Sequence, residues 1–597
     1  MKYPILYEME TSRQMLDVFR GYNHNLRISD GEFYDMKNLT STHYPVLSPR
    51  GKRGKYLSVD NPKGMIAKDS LCYVDGSYFV INEKKIDLGL DAYETVDLVS
   101  MGAHVIILTK DADGNSVDKK YINTANLTDF GNIEASFTTQ ADVSFSLCKL
   151  DGGDYANAVP SPTEPENPNN MDLWIDTSST PHSLKQYSET TKMWVSVATT
   201  YVKISSSGIG AAFKQYDGVT ISGIKSEKLK DLNASMVLWE VYHNEEENGK
   251  GDYIVVIGIL DEVTTQTVAE GQITIERKMP AMDFVIESGN RLWGCRYGLS
   301  NNKEVVNEIY ASKLGDFKNW NCFMSVATDS CVLQCGTDGQ FTGAITHLGY
   351  PVFFKENCMH KVYGNYPANY QTQSTVCRGV QEGSEKSLAI VNEVLYYKSR
   401  NGVCAYDGSL PAEVSYALGD VYYDNAVACG HGNKYYISMR DAKGEYHLFV
   451  YDVSKDMWHR EDNLAVKALC SCRNDVYFIP KDGTEIKTLL GSGTQDTAPV
   501  SWMAETGVMG TSMPDKKYIS RLNIRMSVDV GTRVYLYIQY DSMGEWERVA
   551  TITGTNLRSF TLPVRPKRCD HMRMRIVGEG DAKIFSITKT IEEGSEN

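Results

Sequence analysis

At 597 residues the chain is too long for one compact core, and 42% hydrophobic with 23% charged residues is the composition of a soluble globular protein. It has no run of 18 apolar residues, which excludes a membrane-spanning helix; residues 1–9 (MKYPILYEM) lack an apolar signal region and a small-residue cleavage site, so folding in a cytoplasm is expected. A net charge of −15 argues against a protein that holds DNA by neutralising phosphates, although an acidic wall suits a conduit along which DNA must not stick.

The 37 Tyr and 48 Gly point to strands punctuated by turns, and so to an all-β chain. Residues 1–62 read as an extended N-terminal arm and docking segment with a basic cluster. Arg50, Lys52 and Arg53 are its candidate partner-docking residues, set against the plainer reading of a solvated loop. Short strands follow. Residues 71–81 (LCYVDGSYFVI) predict a hairpin around Asp75-Gly76, and 103–108 (AHVIIL) a buried strand.

A Gly or Asn turn followed by alternating aromatic and aliphatic residues then recurs. It stands at Gly289-Asn290, Gly349, Asn392, Gly432-Asn433 and Asn474. The last four copies are 43, 40 and 42 residues apart. A period of about 40–50 residues, with four short strands per copy, is that of a β-propeller, in which each sheet buries its faces against its neighbours. Six or seven blades are expected over 63–140 plus 283–500.

Residues 141–282 interrupt the period and predict inserted β-rich modules. A Pro-rich linker (160–170) precedes a stretch with three prominent aromatics, Trp174, Tyr187 and Trp194. Flat aromatic faces stack on sugars, which makes these three the candidate glycan-binding residues. The competing reading, which small-domain burial favours, is that they form the core of a module short of apolar residues. Residues 501–597 alternate strictly and predict a C-terminal β-sandwich.

Strong catalytic motifs are missing. Gly208-Ile209-Gly210 lies between strands and lacks the third glycine of a dinucleotide loop. Asp111, Asp113 and Asn115 open like a calcium loop, but Ser116 stands where glycine is required and Ile122 where glutamate is, leaving an ordinary turn. The repeated Ser-x-Asp-x-Gly-x-Thr-Trp boxes of a sialidase-type propeller do not occur. The 13 Cys have neither metal-ligand nor redox-motif spacing and read as buried free thiols. The chain is therefore expected to be a non-enzyme without metal or cofactor.

Residues 19–53 (FRGYNHNLRISDGEFYDMKNLTSTHYPVLSPRGKR), 287–320 and 563–578 resemble virion proteins of tailed bacteriophages. The likeness is to the tail-nozzle and packaged-DNA stabilisation proteins of short-tailed phages. The run 172–177 (DLWIDT) followed by Trp194-Val195 is similar to a small module of phage tail proteins. The resemblance implies a structural component of the virion, in the tail or neck, forming a homo-oligomeric ring with other tail and neck proteins. Such a ring would let double-stranded DNA pass without sequence-specific binding. The alternative it implies is a host-surface glycan-binding protein at the tail tip, acting through the inserted domain.

Overall fold

The computed structural model describes residues 11–594 apart from 140–142, 156–157, 247–248, 261–263, 267–271, 301–302 and 512–515. Residues 1–9, read above for a signal, lie outside the described residues. The chain is all-β: strands alternate with turns, and the helical pieces among the described residues are single 3-10 turns.

Seven sheets follow one another around a ring. The first spans 62–87, the second 95–132, the third 284–334, the fourth 343–376, the fifth 389–413 and the sixth 423–460. The seventh takes three strands from 466–488 and a fourth from far upstream, Gly54–Ser58, with the short Thr494–Gln495 beyond it. Each is an antiparallel meander whose first strand lies innermost.

The recurrent turn of the sequence sits at one structural place, between the first and second strands. Left-handed residues make it in every sheet: Asp69, Gly102, Gly289, Gly349, Asn392, Gly432 and Arg473. Positive φ is what a tight hairpin needs to match the twist of its strands, so Gly and Asn mark the period. Asp69 and Arg473 serve without that signature.

Separate apolar clusters fill the seams between neighbouring sheets. Val74, Phe79 and Ile107 join the first to the second, and Leu108, Leu292 and Trp320 the second to the third. Val450, Val476 and Phe478 join the sixth to the seventh. Leu71, Tyr73, Cys470 and Ile486 join the seventh back to the first, so the ring is closed.

Closure depends on the N-terminal segment. Leu57 pairs with Ile486 and Ser58 with Glu485. Gly54 runs so close to the Ser492 carbonyl that a Cβ there would collide with it. Further upstream, Glu32–Lys37 pairs with Ser501–Thr506, and Thr11–Leu16 pairs with Ala582–Glu593. Residues 11–58, expected as an extended arm, thus supply strands to the C-terminal sheet and to the ring.

The C-terminal sheet is built around one strand, Lys517–Tyr540. Its first half pairs with Ala582–Glu593, its second half with Met572–Glu579, and Glu547–Leu562 runs along its other edge. Register shifts near Val528 and Arg533 mark where it bends. Its buried face, with Ile524, Leu536 and Ile576, is continuous with Phe33, Tyr396, Tyr435 and Trp458, so this sheet and the fifth and sixth sheets share one core.

All thirteen cysteines are free, and twelve are buried. Burial pushes the Cys470 thiol up to about 12 and the Cys72 thiol up to about 11, which keeps both protonated and unreactive.

Two predictions follow from this packing. Arg53 is buried and bonds Glu461 (3.0 Å) and Asp462 (2.7 and 2.9 Å). Removing one partner of a buried ion pair costs about 3–5 kcal/mol. Arg53→Met should lower unfolding stability in urea by about that much; a change within error of zero would show that the contact does not hold the ring. The second concerns pH. Burial, then the Lys355 charge, pushes His360 down to about 4; burial, then Lys434, pushes His459 down to about 3. An unfolded histidine takes up its proton near pH 6.5. The unfolded chain therefore binds more protons below that pH, and stability falls as pH drops from about 6.5 towards 4. The urea midpoint should be lower at about pH 5 than at about pH 7, with a smaller drop in His360→Gln.

Candidate functional site

The insertion leaves the ring after the second sheet and returns at the third. Its first strand, Ala135–Thr138, pairs antiparallel with its last, Thr274–Arg277, so entry and exit lie side by side. The neck is fixed to the ring by Arg277, which bonds the Ile133 carbonyl and ion-pairs with Asp217. Asn319 of the third sheet's loop reaches the same Asp217 (2.9 Å) and accepts from the Gly218 amide (2.8 Å). A core of Phe145, Val202, Ile254 and Ile275 holds the larger inserted unit together.

A small four-stranded sheet, residues 158–196, hangs from that unit. Its pairing register partitions its side chains. Leu173, Ile175 and Leu184 share one face and form its apolar core with Leu147 and Val197. Trp174, Asp176, Lys185, Tyr187 and Trp194 share the other face. The structure thus brings the three sequence-selected aromatics together, on the face opposite the apolar core.

On that face Trp194 meets Trp174 and Tyr187 edge-on, each with ring centroids 5.5 Å apart. The Lys185 ammonium lies 4.5 Å from the Trp174 ring and 2.7 Å from Asp176. Hydrogen bonds from Lys185 and Ser178 hold the Asp176 carboxyl down at about 2, so it stays ionised at neutral pH. Trp174 donates its indole N–H to Ser161 (2.9 Å). The Trp194 indole nitrogen is shielded from solvent and has no hydrogen-bond partner among the described residues. Trp174 is buried on this face beneath its neighbours, while Tyr187 and Trp194 stay partly exposed, and part-exposed rings beside an ordered ion pair are parts from which sugar sites are assembled.

The basic candidates fall elsewhere. Arg50 bonds Asn38 (2.8 Å) and ion-pairs with Asp462, and Arg53 is buried as described. Lys52 reaches the Thr497 carbonyl (3.2 Å). Arg50 and Arg53 join the N-terminal segment to the link between the sixth and seventh sheets, and Lys52 joins it to the stretch that follows the seventh.

Two features had no linear signal. The inner strands enclose an axial cavity of about 360 Å3, lined by Gly64, Asp97, Phe284, Glu385, Lys386 and Leu469 among others. Its carboxylates come from different sheets, and Asp97 is paired with Lys110 at 3.2 Å. Separately, Asp441, Glu445 and His447 cluster on an outer hairpin of the sixth sheet. Arg460 donates to His447 Nδ1, which leaves the ring proton on Nε2, facing Asp441 at 3.0 Å. With both nitrogens engaged, the imidazole has no lone pair for a metal. Asp111, rejected as a calcium ligand, caps an exposed turn by accepting from the Asp113 and Asn115 amides.

No protein-family model matches the chain, and no curated protein does. Similar solved structures include an exo-β-1,3-galactanase from Phanerochaete chrysosporium, 10% identical, with 51% of this chain and 94% of that chain covered at a TM-score of 0.22. The phage phi92 endosialidase is 8% identical over 77% of this chain and 73% of that chain, with a TM-score of 0.24. A Trypanosoma rangeli sialidase is 8% identical over 92% and 97%, also at 0.24. Values this low transfer neither substrate nor residue roles. They do correct the expectation of a non-enzyme, since the matched structures are glycoside hydrolases and a sialidase. Paired catalytic carboxylates are defined by separation in space, about 5–9.5 Å, so missing linear motifs do not exclude them.

The paired neck strands generate a prediction. Replacing 135–277 by a short glycine linker should leave a ring that unfolds in one cooperative transition, because the joined ends are already adjacent. A broad, non-cooperative melt would show that the insertion is part of the ring's core.

Proposed function

We propose that the chain is a structural component of a tailed-bacteriophage particle, in the tail nozzle, tail tube or neck. It would assemble with neighbouring tail proteins as a symmetric ring that helps to retain and conduct DNA. We read the seven sheets as the blades of one propeller and the two halves of the C-terminal sheet as the faces of a sandwich. The observation that carries the proposal is that 19–53, the segment resembling phage virion proteins, is the one that ties propeller and sandwich together. A protomer made rigid in this way suits closed cyclic assembly, which repeats one pair of complementary surfaces around an axis. The acidic surplus suits a wall from which DNA must slide free.

The test is imaging of purified particles carrying a tag at the chain's C-terminus. Label at the neck or tail in a ring supports the proposal, and particles without label contradict it.

A second reading is favoured by the aromatic face of the small inserted sheet. Tyr187 and Trp194 lie outside that sheet's apolar core and stay partly exposed, packed over a buried Trp174. In this reading the insertion binds a host-surface glycan. Trp194→Ala should weaken binding to isolated cell-surface glycans at least tenfold while the melting temperature stays unchanged. Equal binding by the variant and the wild type would remove this reading and leave the first intact.

A further inference from the structure

The inner strands of the ring all run the same way. Lys63 and Glu94 approach within 3.8 Å where the first and second sheets begin, and Lys68 bonds Ser100 (2.8 Å) where those strands end. His431 and Ser471 meet at the corresponding ends in the sixth and seventh sheets (2.9 Å). One opening of the axial cavity is therefore ringed by residues at the starts of inner strands. Lys63 is the second residue of Pro62–Lys68, and Lys467 the second of Val466–Cys472. Lys386 lies in the turn Glu385–Ser387 that leads into Ala389–Val391, and it lines the cavity itself.

Lys63 and Lys467 directly precede the lining residues Gly64 and Ala468, so three lysines from three sheets stand around one opening, each half-buried. Lys386 and Lys467 have no carboxylate within ion-pair distance among the described residues, and the Glu94 beside Lys63 is 66% exposed. Glu385 also faces the cavity. With Asp97 balanced by Lys110, three lysines against two glutamates still leave the opening positive, in a chain whose net charge is −15. Burial, then the Lys63 charge, offset in part by Glu94, and then Lys386 hold Lys467 below the ordinary lysine range. Like charges gathered in a partly dry cavity raise the energy of the empty state, and an anion there relieves it.

We propose that this opening binds a phosphate group, with Lys63, Lys386 and Lys467 supplying its counter-charges. The cations belong to separate sheets and act as point charges, which suits a dianion with several terminal oxygens. A lone carboxylate carries one charge, and no arginine fork faces it among the residues lining the cavity. The phosphate is either the free anion or a phosphate monoester whose remainder projects from the ring.

The test is calorimetric titration of the full chain at low salt with inorganic phosphate, glycerol 3-phosphate and acetate. Saturable binding of one or both phosphates, with none of acetate, is expected. Tighter binding of inorganic phosphate assigns the site to the free anion, and tighter binding of glycerol 3-phosphate to the ester. Lys386→Gln and Lys467→Gln should each weaken binding at least tenfold, and Lys443→Gln, on an outer hairpin, should not. Lys386 lies in a short turn outside the strands, so an unchanged melting temperature in its variant separates lost charge from lost fold. Absence of binding by the wild type, equal binding of acetate, or equal affinity in the lysine variants would overturn the proposal.

Discussion

The pairing of Gly54–Ser58 with Glu485–Thr488 is the contact on which the rest of the structure depends. A ring of sheets has no free seam only if its last sheet is finished, and here the finishing strand comes from the chain's beginning. Without it the seventh sheet would end in an open edge, with unpaired amides and carbonyls that invite other strands. The seam next to it, lined by Leu71, Tyr73 and Ile486, would lose the backbone that holds it in place. Arg53 sits immediately before this strand and reaches Glu461 and Asp462, so an ion pair anchors the backbone where the strand begins.

The same segment joins the ring and the C-terminal sheet into one packed body. Upstream of the closing strand, Phe33 and Met36 enter the core shared by the fifth and sixth sheets and the C-terminal sheet. The inserted units have cores of their own and meet the ring at a two-stranded neck and the Asp217–Asn319 contact. One core thus runs through the fifth and sixth sheets and the C-terminal sheet, while the aromatic face is carried on a module with a core of its own.

Much of the ring was legible in the sequence because its repeat is enforced locally. The hairpin after each inner strand needs a left-handed residue, and Gly349, Asn392 and Gly432 announce it. Arg473 occupies the equivalent place without that signature, and there the neighbouring Asn474 carried the signal. The role of the N-terminal segment was not legible. Its partners lie more than 400 residues away, and a five-residue strand with alternating burial looks like any exposed stretch. The bend in Lys517–Tyr540 was not legible either, since Val530-Gly531 has the composition of a turn and the structure has one continuous strand there. At the candidate site, composition singled out Trp174, Tyr187 and Trp194, but only the register shows that they face away from Leu173, Ile175 and Leu184. The lysines of the axial opening come from three sheets and left no pattern along the chain.

Amide hydrogen exchange at Lys55 and Leu57 tests ring closure most directly. If the strand finishes the seventh sheet, these amides exchange only through global unfolding, at the rate of Val476 and Ile486 in the strands beside them. Exchange orders of magnitude faster than at Val476, under conditions where the rest of the ring stays protected, would mean that the N-terminal segment is a loose arm and that the ring is held by something else.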